Sequence, residues 1–256
     1  MSDTHRSRFD LTGKVALVTG GTRGIGRAIA FEFARAGAHV VVSSRKADAV
    51  TSTAAALRAD GGAASGVPAN VGRPGEVATL LEATLAAAGG LDILVNNAAT
   101  NPVYGPITDV SDEAFEKIMA VNVKAPWDLA RRALPHMVAR GGGSVINISS
   151  IGGLSPEPNL GIYSVSKAAL VMLTRTMARE WGPQGVRANV ICPGFIKTDF
   201  SAALWKNEAI ASFFHSAALK SVLMKPGQIT FARTPCGPHS RAIVRVSITS
   251  AALLTE

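Results

Sequence analysis

The chain is short of the features that mark several protein classes. It has two cysteines in 256 residues, Cys192 and Cys236, too few for a disulfide framework or a thiolate metal site. None of its histidines (His5, His39, His136, His215, His239) clusters with acids or cysteines at ligand spacing, so no metal is indicated. Charged residues make up only 17% against 47% hydrophobic, the balance of a globular and not a disordered chain. No apolar run approaches the ~20 residues needed to cross a bilayer, so no membrane partner is expected. Met1-Ser2-Asp3-Thr4-His5-Arg6 lacks the apolar core of a signal peptide, and a cytoplasmic location is expected.

A net charge of +8 raises the question of nucleic acid. Its distribution argues against that partner. Residues 220–256 hold Lys220, Lys225, Arg233, Arg241 and Arg245 against Glu256 alone. The basic residues elsewhere are scattered, nearly balanced by acids, and not interleaved with aromatics.

What is present alternates regularly. Val15–Thr19 is a short apolar run of the kind buried on both faces of a parallel sheet. A helix follows with Ile25, Ile29 and Phe33 on one face, and Gly37 stands at its end. Further strands are expected over 39–43, 64–69, 92–96, 144–148 and 187–191, with helices over 47–60, 74–88 and 163–181. Ser111-Asp112-Glu113-Ala114 opens a long helix with a capping hydroxyl and acids in its first turn; Pro126 and Pro135 are expected to kink or bound it. Alternating strands and helices imply right-handed crossovers and a doubly wound parallel α/β sheet. No repeat or linker interrupts it, so one domain is expected.

The first strand runs into Thr19-Gly20-Gly21-Thr22-Arg23-Gly24-Ile25-Gly26 and then a helix. Glycines there allow a tight turn, close backbone approach to a pyrophosphate and close helix–strand packing, and the helix N-terminus offers N–H groups to phosphates. No Gly-Lys-Ser/Thr follows, which argues against a nucleotide-triphosphate loop. The second strand ends in Ser43-Ser44-Arg45 without the acid that an NAD ribose prefers. Arg45 and Arg23 are placed to pair with a 2′-phosphate, and Ser44 to add a hydrogen bond. NADP(H) is therefore favoured over NAD(H); solvated surface arginines are the plain alternative.

Tyr163 and Lys167 lie four apart on a helix, so their side chains share a face. A phenol with a pKa near ~10 is a poor base at neutral pH; a neighbouring ammonium is expected to lower it. Ser150 falls just after the fifth strand, at the carboxyl edge where ligands bind in such sheets, and can hold a substrate oxygen.

The combination resembles the short-chain dehydrogenases/reductases. It is carried by the glycine turn, Asn96-Asn97-Ala98-Ala99, Asn122, Ser149-Ser150, Tyr163-Ser164-Val165-Ser166-Lys167 and Pro193-Gly194, and runs from about Leu11 to Leu219. The resemblance implies a Rossmann fold and a homo-oligomer. It also implies hydride transfer between nicotinamide and a carbonyl or secondary alcohol, with Asn122, Ser150, Tyr163 and Lys167 as the catalytic group. Asn122 would kink the long helix and hold a water in a relay to Lys167. Lys167 would also reach the nicotinamide ribose. Asn70-Val71 would lie by the adenine and Asn96 and Ala98 by the cofactor; Ile196 and Thr198, after Pro193-Gly194, would touch the nicotinamide amide. Ala99 replaces a usual glycine and Asn70 a usual aspartate. The segments 97–102, 122–126 and 195–200 look most like NADPH-dependent carbonyl and retinal reductases, with 3-oxoacyl carrier-protein reductases close. Leu154, Leu160, Phe195, Phe200, Leu204 and Trp205 are candidates for an apolar substrate pocket.

After Leu219 the likeness stops. Residues 220–256, with Pro226, Pro235 and Pro238, fit no amphipathic helix of normal length, although 242–248 has strand composition. They are read as a frameshifted or divergent tail in place of the family's last helix and strand. Two expectations follow: a dimer in place of a tetramer, and, as a second functional reading, a cofactor-binding protein with impaired turnover.

Overall fold

In the computed structural model of the protein, residues 9–156, 158–194, 196, 198 and 200 are described. Six parallel strands form one sheet in the order β3-β2-β1-β4-β5-β6. They are β1 Val15–Thr19, β2 His39–Ser43, β3 Ala63–Gly66, β4 Ile93–Asn96, β5 Gly143–Ile148 and β6 Val186–Ile191. The chain winds outward from β1 in one direction to β3, then crosses to β4 and winds the other way. The reversal between β1 and β4 opens a crevice at the strands' carboxyl ends.

Alternation within each strand divides the core into two layers. Val15 and Leu17 of β1 join Leu94 and Val145 on one face. There they meet helices α3 (Glu76–Ala88), α5 (Ala125–Ala139) and α6 (Gly161–Trp181). Ala16 and Val18 point the other way, with Val40, Val42 and Val95, onto α1 (Gly24–Arg35) and α2 (Ala47–Ala59). Both faces are covered, which is why these strands read as unbroken apolar runs. Leu17 and Leu94 are fully buried, each worth about 1.5–3 kcal/mol relative to exposure.

The sheet's other end is fastened by Asp92. Its carboxylate accepts from Val15 N at 2.8 Å and from two nitrogens of Arg140, Nε at 3.1 Å and Nη2 at 2.9 Å. Burial alone would raise its pKa, but Arg140, the Val15 N–H and Lys14 outweigh burial and hold it below the usual carboxylate range.

The third strand is shorter and earlier than expected, Ala63–Gly66 in place of 64–69. The chain nonetheless stays beside β2, with Val67 N and Ala69 N donating to Val42 and Ser44 carbonyls. The long helix opens as expected: Ser111 caps α4 (Asp112–Met119), its hydroxyl accepting from Ala114 N. Neither proline ends it. A π-helical turn over Ala120–Lys124 makes the irregularity instead. Pro126 sits in the first turn of α5 and Pro135 inside it, the former where a missing N–H is tolerated. The sequence expectation for 242–248 lies outside the described residues, as does the whole of 220–256.

Candidate active site

A cleft of about 400 Å³ runs along the carboxyl edge of the sheet. Its first wall is the turn after β1. Gly20 and Gly24 adopt φ of +63° and +54°, where a side chain would strain the backbone. A Cβ on Gly20 would stand 2.8 Å from Asn97 Nδ2 and 3.1 Å from Ala98 Cα. Thr22, Arg23, Gly24 and Ile25 line the cleft, whereas Gly26 does not. A Cβ on Gly26 would meet Gly20 O at 2.4 Å, so its function is close packing of α1 against the turn.

The residues that hold this turn are Thr19 at the end of β1 and Asn97 and Ala98 just past the end of β4. Asn97 Nδ2 donates to the carbonyls of Thr19 and Gly20 at 3.0 and 3.1 Å. Thr19 Oγ1 accepts from Asn97 N and Ala98 N. Asn96, expected by the cofactor, is not among the residues that line the cleft. Asn96 is buried beneath the cleft and donates to Asn147 Oδ1 at 2.8 Å; Asn97 and Ala98 form the wall. β4 ends at Asn96, and the two residues that follow it reach the cleft.

At one end of the cleft stand Ser43, Ser44, Arg45, Asn70 and Val71. Ser43 Oγ is buried without a hydrogen-bond partner, an orphan that a ligand hydroxyl or phosphate would satisfy. Asn70 Oδ1 accepts from Gly72 N at 3.2 Å, leaving its amide N–H groups as donors. Arg23 and Arg45 are exposed at the mouth. This donor set, with the glycine turn, fits a phosphate-bearing dinucleotide.

At the other end Ser150, Tyr163 and Lys167 meet, with Pro193, Gly194, Ile196 and Thr198 also on the wall. Ser150 caps the short 3₁₀ turn Ile151–Gly153, its Oγ accepting from Gly152 N at 3.1 Å. That acceptance directs its own proton elsewhere, and it engages the Tyr163 phenol. Lys167 is 2% exposed. Its Nζ lies 5.7 Å from the Tyr163 ring centroid and donates to Ile148 O at 2.8 Å.

The expectation that Lys167 makes the phenol more acidic is not met by the protein's own groups. Burial pushes Tyr163 up to about 12, with the Ser150 hydroxyl pulling part of the way back. Burial also pushes Lys167 down to about 8, opposed by Cys192. Both charged forms lose water on burial, and that loss sets the direction of each shift. At neutral pH Tyr163 therefore holds its proton.

Asn122 is buried in the π-turn and does not line the cleft. Its Oδ1 accepts from Thr100 N at 2.9 Å, and its Nδ2 donates to Thr100 O and Ser166 Oγ, both at 3.0 Å. Its side chain ties the π-turn to Thr100 and to α6. Of the apolar pocket candidates, Leu160 and Phe200 line the cleft and Leu154 does not; Phe195, Leu204 and Trp205 lie outside the described residues. Tyr104 and Ile151, not singled out from the sequence, also line it. Among the described residues no group of His, Cys, Asp and Glu could hold a metal, and no helix is long and apolar enough to cross a membrane.

A doubly wound sheet with a dinucleotide turn at its switch point and a Ser–Tyr–Lys group beside it defines a Rossmann-type oxidoreductase. Residues 14–209 match the family of short chain dehydrogenases, and the chain belongs to that family. It is 48% identical over 202 residues to "Dehydrogenase/reductase SDR family member 4" of Sus scrofa, covering 79% of this chain and 72% of that one. A gluconate 5-dehydrogenase from Burkholderia cenocepacia, solved with NADP and tartrate, superposes with a TM-score of 0.78 at 32% identity, over 82% of each chain. A 3-oxoacyl (acyl-carrier-protein) reductase from Agrobacterium tumefaciens, solved with NADP bound, gives 0.75 at 33% identity, over 81% of this chain and 80% of that one.

Proposed function

We propose that the protein is an NADP(H)-dependent oxidoreductase that interconverts a carbonyl and a secondary alcohol, working best as a reductase. One observation carries this reading. A protonated Tyr163, the Ser150 hydroxyl and the buried Lys167 converge at one end of a cleft whose other end holds the glycine turn, Ser43 and two arginines. NADP bound in the two related structures supports the cofactor choice. The adenosine end would be held by Arg23, Ser44, Arg45, Asn70 and Val71, the pyrophosphate by the backbone from Gly20 to Ile25, and the nicotinamide end by Lys167, Ile196 and Thr198.

Bound nicotinamide supplies the hydride. The chain's own residues do the rest. Ser150, its acceptor capacity engaged by Gly152 N, donates to the substrate oxygen. Tyr163 gives its proton to that oxygen as negative charge develops there. The Lys167 ammonium stabilises the resulting phenolate. Ile151, Leu160, Tyr104 and Phe200 supply an apolar wall, so the carbonyl's body is apolar.

The test mixes protein, NADPH and a panel of ketones and follows cofactor absorbance, with Tyr163→Phe in parallel. Turnover by the native chain, a loss of at least about a hundredfold in the variant, and unchanged NADPH binding are expected. NADPH binding without oxidation of any ketone would instead establish the second reading, a cofactor-binding protein. That reading is favoured by the end of the family match at residue 209 and by the composition of 220–256. We read that tail as a frameshift or divergence in place of the family's last helix and strand. Phe115, Trp127, Val165 and Met172, exposed apolar side chains on α4, α5 and α6, remain to form a homodimer. A cytoplasmic location fits the two cysteines.

A further inference from the structure

The residue before Lys167 is drawn into the site from behind. Ser166 is fully buried. Its hydroxyl accepts from Asn122 Nδ2 at 3.0 Å and donates to the backbone carbonyl of Tyr163 at 2.7 Å. Asn122 is in turn fixed by two hydrogen bonds to the backbone of Thr100 on the cleft wall. The described hydrogen bonds thus form a strap from the cleft wall, through the π-turn, to the residue that carries the phenol. A second buried hydroxyl, Ser149 Oγ, donates to the carbonyl of Lys167 at 2.8 Å. Both catalytic side chains on α6 therefore hang from carbonyls gripped by a buried serine.

Close packing holds α6 against its neighbours, and hydrogen bonds add an angular constraint at named atoms, since they weaken steeply with angle. A small rotation of α6 carries the Tyr163 oxygen away from Ser150, and misplacement by about 1 Å costs on the order of a hundredfold in rate.

We propose that Ser166 is a positioning residue for proton transfer, transmitting the fixed place of Asn122 to the rotational setting of Tyr163. The proposal rests on the oxidoreductase reading above, and its test separates the two. Ser166→Ala removes one oxygen and Ser166→Thr keeps the hydroxyl. In ketone reduction, Ser166→Ala is expected to lower kcat about tenfold or more with KM for NADPH within about twofold, and Ser166→Thr to restore most of the loss.

A second readout needs no turnover. The chain has two tyrosines, so in a Tyr104→Phe background the ¹³Cζ resonance of labelled tyrosine reports Tyr163 alone. It should move in Ser166→Ala and return in Ser166→Thr. An unmoved resonance overturns the proposal, as does a Ser166→Ala variant that melts earlier but turns over at the native rate. A native chain that reduces no ketone yet shows the resonance shift would sink the enzymatic reading and leave the positioning intact.

Discussion

Asn96 and Asn147 face each other across the β4–β5 ladder and join through their side chains, Asn96 Nδ2 donating to Asn147 Oδ1 at 2.8 Å. The chain continues in both directions. Asn96 Nδ2 also reaches Pro126 O at 3.4 Å, and Asn147 Nδ2 donates to Thr174 Oγ1, which donates to Leu170 O. A line of buried amides and hydroxyls thus ties α5, the sheet and α6 beneath the cleft floor. Buried polar groups with all partners present rigidify a core; with one removed, the others are left unsatisfied. Asn147→Ala is expected to cost about 1–3 kcal/mol, read as a lower urea midpoint with an unchanged slope. A midpoint equal to that of the native chain would show that the line does not bear on stability.

Cofactor choice should turn on charge at the mouth. Arg45→Asp replaces a cation by the acid that suits an unphosphorylated ribose. Loss of a charge-assisted hydrogen bond worth about 1.5–3 kcal/mol predicts a fall of roughly ten- to a hundredfold in kcat/KM for NADPH, with NADH gaining relative to it. Arg23→Ala should lower NADPH use alone. Equal losses for both cofactors would place these arginines away from the 2′-phosphate.

The two buried titrating groups set a pH window. Tyr163, held up to about 12, stays protonated throughout the working range. Lys167, held down to about 8 from 10.5, loses its proton first. Reduction should run level below about pH 8 and decline above it, measured as kcat/KM with pH. Stability moves the other way. The folded state penalises the charged lysine, so between about 8 and 10.5 it sheds a proton that the unfolded chain keeps, and stability rises with pH. Lys167→Met should therefore hold or raise Tm at pH 7 while abolishing turnover, and any gain should vanish near pH 10.5.

Assembly should depend on the exposed apolar face of α4, α5 and α6. Trp127 and Met172 are 43% and 58% exposed. Sedimentation is expected to give a dimer, and Met172→Glu to give monomers by burying an unpaired charge in the interface. A stable tetramer in the native chain would overturn the reading of the tail.

Much of the fold was legible because burial on both sheet faces leaves unbroken apolar runs. Val15–Thr19, His39–Ser43 and Ile93–Asn96 stand out for that reason. Ala63–Gly66 does not, being small residues whose place comes from β2. The glycine turn and the Ser150–Tyr163–Lys167 group were legible because their spacings are local. Asn97 and Ser166 were not. Their importance lies in hydrogen bonds to Gly20 and Asn122, residues far away in the chain. The direction of the Tyr163 shift was also hidden, since burial is a property of the folded whole.

The π-turn at Ala120–Lys124 has one more implication. It holds one residue beyond a regular coil, and each residue of an α-helix advances about 100° around its axis. Winding these residues into a regular α-helical coil with none removed would swing everything after them by that angle. Leu129, Ala133 and Met137, now pressed against the sheet, would swing off it, and Trp127 would leave the outer face. The wide loop that shapes the back of the cleft is therefore also the phase marker that tells the following helix which side is inward.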